Sequence, residues 1–389
     1  MVLANICAWF VLVSVATGVP DSPPPPPPPL PPSHVTDLVH EFSYKIVPWN
    51  MGFPCPSTKN IYLSTGRFIQ KNVIATGFVI YKDQCILIMP RLREGVPITL
   101  GTFSLKAKES KPTILPYPCW SMQEEGNPEA LQNVVDIVID RTDTVWVLDT
   151  GICNTLQQPI KRAPPKIVGI DAKNGQVVKT IDLSKFVTAE SLLQCILVDI
   201  DERGNYFAYI SDAGCGALIV YDIFNGKGYR VVLPKSIVSE SPNNDILYTL
   251  LIRKPSGNLV YFKYLNSKRI YYIKTSFLQR GQVSGAVVDV GPTPLCENMV
   301  PLGTDNGAAI FFRCKGGSDI YIWNTQTCLK EDNFLLVQRG DECRLATQVV
   351  PGYKRLMWVL ESNIHDYVAN TAGCLGASIV LHPLIKTAD

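Results

Sequence analysis

The chain has 389 residues, of which 46% are hydrophobic and 18% charged, and its formal net charge is +2. Both signs are interspersed, so no basic stripe for nucleic acid and no polybasic patch for a membrane surface is present. The hydrophobic share is ample for a core, and this length admits two ordinary domains or one large all-β domain.

In chain order, residues 1–18 read as a secretory signal. Ile6 to Ala16 is a short apolar run, and Ala16-Thr17-Gly18 places small residues where a signal peptidase cuts. The run is shorter than the roughly 18–20 residues that span a bilayer, so the expectation is a secreted, extracellular protein. Residues 19–40 form a Pro-rich tail. Pro23 to Pro29 and Pro31-Pro32 favour polyproline II, a stiff solvated spacer without donors for a sheet. The globular domain is expected over 41–389.

Six times within it an apolar strand runs into a tight polar turn and an aromatic-rich strand follows. The turns fall near Asp83, Asp140, Asp201, Pro255, Asp305 and Pro351, at spacings of 46 to 61 residues. A drifting period of about 40–50 residues with several strands per unit predicts a β-propeller, here of six four-stranded antiparallel blades. One blade leaves an apolar face bare, so neighbours must cover each other and the ring must close around a central channel. Phe42-Ser-Tyr-Lys-Ile-Val-Pro-Trp49 is the candidate to close it against the last blade. Asn174-Gly175 and Asn225-Gly226 sit between alternating strands and predict the outer hairpins of two blades. Thr188 to Cys195 is the one fair short helix.

Cys7 leaves with the signal, and eleven cysteines remain without a Cys-x-x-Cys pair or Cys/His metal spacing. Disulfides are therefore expected and zinc is not. The odd count implies a buried thiol or an intermolecular bridge, and the former is the better reading. No metal or cofactor is expected. Only His34, His40, His365 and His382 exist, and no Gly-x-Ser-x-Gly elbow, His-Glu-x-x-His pair or Walker loop occurs. Asp199-Ile-Asp-Glu-Arg-Gly204 lacks most calcium-loop ligands and reads as a strand and hairpin turn. Most of the sixteen tyrosines lie in strand patterns, where packing accounts for them.

Asp149, Thr150 and Gly151 end a second strand where it reaches the channel mouth, Asp212 holds that place one blade on, and Glu361-Ser362-Asn363 holds it in the sixth. Carboxylates converging there could pair with an ammonium while aromatic faces hold its ring. The competing role is capping backbone groups of adjoining loops, and it is favoured for Asp149 and Asp212.

Several ordered segments carry a resemblance: Pro90-Arg91 with Gly95-Val-Pro-Ile-Thr-Leu100, Pro116-Tyr-Pro-Cys-Trp120, Trp146-Val-Leu-Asp-Thr-Gly151, Tyr209-Ile-Ser-Asp212 with Gly216-Ala-Leu-Ile-Val-Tyr-Asp222, and Trp358-Val-Leu360 with Ser362-Asn363. Over roughly Glu41 to Leu384 the chain resembles the insect Yellow / major royal jelly protein family, which implies secretion and a six-bladed propeller. Cysteines common in that family near Leu131 and Thr142 are missing here, and Cys119 stands where a polar residue is usual. Gly214-Cys-Gly-Ala-Leu218 is similar to the eggshell-associated Yellow-g branch. The resemblance implies a biogenic-amine contact at Asn363, with His365 on the same face of an extended segment and Thr347 lining the same mouth. It implies a role in maturing eggshell or cuticle, with a small aromatic amine and extracellular matrix proteins as partners. The alternatives are a dopachrome-converting isomerase with Asp149, Asp212, Glu361 or His365 as base, and a purely structural or nutritive protein. The low histidine count favours binding or structure over acid–base catalysis.

Overall fold

A computed structural model describes residues 42–386, except 108, 239–244, 297 and 341–342. The apolar leader and the Pro-rich tail lie outside the described residues. The rest forms six four-stranded antiparallel sheets. Blade I holds Gly77–Tyr81, Gln84–Ile88, Leu100–Ser104 and Leu115–Pro116, and blade II holds Val134–Ile139, Thr144–Asp149, Lys166–Asp171 and Val177–Asp182. Blade III holds Leu193–Ile200, Tyr206–Asp212, Ala217–Asp222 and Lys227–Val232, and blade IV holds Leu247–Ile252, Leu259–Tyr264, Arg269–Lys274 and Val288–Pro292. Blade V holds Met299–Thr304, Ala309–Cys314, Ile320–Asn324 and Phe334–Gln338. Blade VI takes Leu345–Gly352, Leu356–Ser362 and Ile379–Lys386, with Tyr44–Lys45 as its outer strand.

The ring closes as the sequence predicts: Tyr44 pairs with Leu381 and Lys45 with Val380. The Tyr44 hydroxyl also donates to the Leu105 carbonyl (2.5 Å), tying this strand to blade I. The first strand of each blade touches the first strands of the blades on either side, all the way round. All six predicted turns join first to second strands, and both Asn-Gly pairs turn outer hairpins.

Six buried clusters fill the six blade interfaces. This explains why the second strands read as unbroken apolar runs. Alternate side chains point to opposite faces of a strand, and each face here meets a neighbouring blade. Thus Val145 and Val147 pack toward blade I while Trp146 and Leu148 pack toward blade III. Likewise Ala208 and Ile210 face blade II, whereas Phe207 and Tyr209 face blade IV.

The helix expected over Thr188 to Cys195 does not form. Thr188–Ser191 is a turn, and Leu193 already begins the first strand of blade III. Burial of Leu193, Ile196 and Val198 against blade II overrides local helix preference. Short helices form instead at Pro56–Ser64, Lys235–Val238, Thr275–Arg280 and Ile364–Ala369. Among the described residues no helix is long and apolar enough to cross a membrane. The disulfide expectation is met between Cys296 and Cys314, and Cys85 and Cys153 are buried thiols. The Asp199–Gly204 segment is a strand and turn, with the Asp201 carboxylate accepting from the Arg203 and Asn205 amides.

Candidate functional site

The first strands of all six blades surround a central cavity of about 280 Å³, close to the lower end of the roughly 300–1,000 Å³ usual for small-ligand sites. Most of its wall is aliphatic. Four charged residues line it: Asp136, Arg253, Arg313 and Lys315.

Asp136 lies in the first strand of blade II, next to a register shift between Val134 and Asp136. Its Oδ2 accepts from the Ile196 amide of the neighbouring first strand (2.7 Å), and its Oδ1 from the Ile137 amide (2.9 Å). Gln194 and Gln348 make the same kind of bridge, accepting from the amides of Leu247 (2.7 Å) and Phe78 (2.6 Å) one blade onward. Asp136 therefore fills a structural position with a carboxylate where an amide would serve. Its remaining accessible surface faces the hollow. Burial is the largest influence and pushes its pKa from 3.8 up to about 7, against the two amide bonds that lower it. Cys195 lines the cavity too, and burial, reinforced by the nearby Asp136 charge, pushes its thiol up to about 12. That thiol stays protonated.

Arg313 lies in the last residues of the second strand of blade V, and Lys315 is the first residue after it. Arg313 is 5% exposed. Its Nε donates to the Ala346 carbonyl (2.9 Å) and its Nη1 to the Cys314 carbonyl (3.1 Å). Desolvation lowers the pKa of its guanidinium, with the Tyr248 phenol acting the other way. The Lys315 ammonium donates to Asn266 Oδ1 (2.8 Å). Arg253 follows the first strand of blade IV, toward the hairpin-turn end of the channel, and donates to Asn306 Oδ1 (3.3 Å).

The residues singled out from sequence fall mostly around this cavity rather than in it. The Asp149 carboxylate is sealed, accepting from the amides of Gln132 (2.8 Å), Asn133 (2.8 Å) and Gly151 (2.9 Å), with Lys166 Nζ at 3.8 Å. Asp212 accepts from the Leu192 amide (2.9 Å), the Ser191 hydroxyl (2.7 Å) and Arg230 (3.1 Å). Thr150 meets Asn133 Nδ2 (3.3 Å). Glu361 accepts from Gln338 Nε2 (2.8 Å) and lies 3.4 Å from His382 Nε2, between blades V and VI. Asn363 starts the helix Ile364–Ala369, accepts from the Ser378 amide (2.7 Å) and donates to Asp366 (3.1 Å). His365 sits on that helix, 3.5 Å from Asp366. Of the set, only Thr347 borders the cavity, with its hydroxyl on the Leu360 carbonyl (3.2 Å). Ile364, between Asn363 and His365, reaches the mouth.

Sequence reading passed over Asp136, Arg313 and Lys315. The available signal was a lone carboxylate inside Val134-Val-Asp-Ile-Val-Ile139, an otherwise apolar first strand. Among the described residues no cluster of three or more His, Cys, Asp or Glu could hold a metal ion.

Comparison with known proteins follows the same lines. Dopaminechrome tautomerase of Drosophila melanogaster is 34% identical over 173 residues, 43% of this chain and 37% of that protein. The match thus spans little more than a third of that relative. Major royal jelly protein 1 of Apis mellifera is 23% identical over 329 residues, 78% of this chain and 73% of that one. A solved luciferin-regenerating enzyme superposes with a TM-score of 0.47 at 12% identity, covering 83% of this chain and 95% of its own, and that likeness carries no inference. The model of the family described as Major royal jelly protein matches residues 132–375, from the entry to blade II to the helix of blade VI. The chain belongs to the major royal jelly protein family.

Proposed function

We propose that the central cavity binds an aminochrome, the cyclised quinone-imine of a catecholamine, and catalyses its tautomerisation to a dihydroxyindole. The observation that carries this reading is Asp136, a carboxylate facing an apolar hollow with its pKa pushed up to about 7. A base is most effective when its pKa lies near the working pH. Asp136 would remove a proton from one saturated carbon of the five-membered ring while the electron pair flows into the conjugated system and a quinone oxygen gains a proton. The adjacent ring carbon then loses its own proton as the remaining acceptor heteroatom is protonated, so two C–H protons are exchanged for two on heteroatoms. Atoms balance, no electrons leave the molecule, and neither metal nor redox cofactor is called for. The relative named dopaminechrome tautomerase supports the same chemistry. The expected place of action is outside the cell, in a maturing eggshell or cuticle layer, in keeping with the leader read from the sequence.

A second reading, binding without turnover, is favoured by one observation: both Asp136 oxygens already accept a backbone amide. Dopachrome and dopaminechrome decay with the purified secreted protein separates the two. The tautomerase reading expects a rate above buffer that rises as pH passes about 7 and disappears in Asp136→Asn. A rate equal to buffer at every pH leaves the binding role alone.

A further inference from the structure

Arg91 and Arg313, the two most buried arginines among the described residues, bound opposite cases. Arg91 donates to five carbonyls, those of Val96, Leu131, Gln132, Pro97 and Gln123. Every side of that guanidinium is taken by protein, and it does not border the cavity. Arg313 is almost as buried but reaches only two carbonyls, through Nε and Nη1. Its Nη2 meets no acceptor among the described residues, and Arg313 borders the cavity. Lys315, the first turn residue after the Arg313 strand, borders the same cavity. Between them Cys314 turns the other way into its bond with Cys296, which pins this strand end.

Neither cation has a carboxylate partner among the described residues, and the cavity's lining holds three cations against Asp136 alone. A buried charge without a counter-ion is costly. An anionic ligand would supply what the protein omits, and a guanidinium is suited to a carboxylate by its planar fork of donors. A cationic amine would meet repulsion at this end of the hollow.

We propose that Arg313 and Lys315 form an anion-recognition subsite, so that the cavity selects a carboxylate-bearing aromatic over its decarboxylated or ammonium-bearing counterpart. The proposal rests on the cavity being the reaction site and names its substrate class: aminochromes derived from a catechol amino acid, with the carboxylate retained, ahead of those derived from a catechol amine. Orientation follows, because holding the carboxylate at the blade V strand end fixes which ring edge is presented to the blade II wall.

The test is calorimetric titration of the full secreted protein with indole-2-carboxylate, indole and tryptamine. Indole-2-carboxylate is expected to bind at least about tenfold more tightly than indole, with tryptamine weakest, and added salt should weaken the carboxylate alone. Arg313→Met should abolish the preference. Lys315→Met, which leaves the hydrogen bonds of Arg313 between blades V and VI intact, should reduce it severalfold. Equal binding of indole and its carboxylate, tightest binding of tryptamine, or no heat from the carboxylate at millimolar concentration would each overturn the proposal. The outcomes stay separable from those of the catalytic reading. A protein that prefers the carboxylate but does not accelerate dopachrome decay retains the subsite and loses the tautomerase. One that converts dopachrome and dopaminechrome equally, with or without Arg313, retains the tautomerase and loses the subsite.

Discussion

Asp136→Asn should stabilise the protein at alkaline pH while removing the proposed base. In the folded state the carboxyl titrates near 7 instead of 3.8. A folded pKa above the unfolded one means that the native state holds its proton more tightly. The associated stability is therefore fully present below about pH 4 and is lost as pH rises toward 7. At roughly 1.4 kcal/mol per unit, the loss amounts to about 4 kcal/mol by pH 8. Asparagine carries no charge to bury, but its single acceptor oxygen can serve only one of the amides of Ile137 and Ile196, at a cost of about 1 kcal/mol. The variant should thus be about 1 kcal/mol less stable than the parent near pH 4 and about 3 kcal/mol more stable at pH 8. Urea unfolding of both proteins across that range measures the difference, since other titrating groups are common to the two. A constant difference from pH 4 to pH 8 would refute the burial argument and, with it, the case for Asp136 as a base poised near neutrality.

Two further substitutions examine the frame around the cavity. Gly303 lines it with φ +151, and an added Cβ would sit 1.9 Å from the Val349 carbonyl oxygen of the next blade. Gly303→Ala should cost at least about 1–3 kcal/mol, read as a lower urea midpoint, and an unchanged midpoint would show that blades V and VI are not packed backbone to backbone there. Arg91→Met leaves five carbonyls without their donor and should cost more than about 3 kcal/mol. A loss below about 1 kcal/mol would show that this guanidinium is dispensable to the joint between blades I and II.

Much of the architecture was legible in residue order because its causes are local and repeated. Turn residues recur at Asp83, Asp140, Asp201, Pro255, Asp305 and Pro351, and each blade must hide its faces against the next, so six units imply a ring. Even the closing role of the Tyr44 strand follows from its apolar pattern and terminal position. The helix mistaken at Thr188 to Cys195 shows the limit of local propensity, because Leu193 and Ile196 answer to blade II rather than to their own neighbours in sequence.

The cavity's chemistry was decided in three dimensions. Asp149 and Asp212 end their strands, and their oxygens are consumed by nearby amides and the Ser191 hydroxyl, the capping role favoured from the sequence; which donors reach them is a fact of loop geometry that spacing does not encode. Asp136 looks like any strand aspartate until the ring places it against an apolar hollow, where desolvation changes its acidity. Arg313 and Lys315 are more than 170 residues from Asp136 in the chain, and only closure of the ring brings the three to face one hollow from opposite blades. Periodicity specifies which faces must be buried. Which charges are left facing an interior depends on distances between distant segments, and those exist only once the chain has folded.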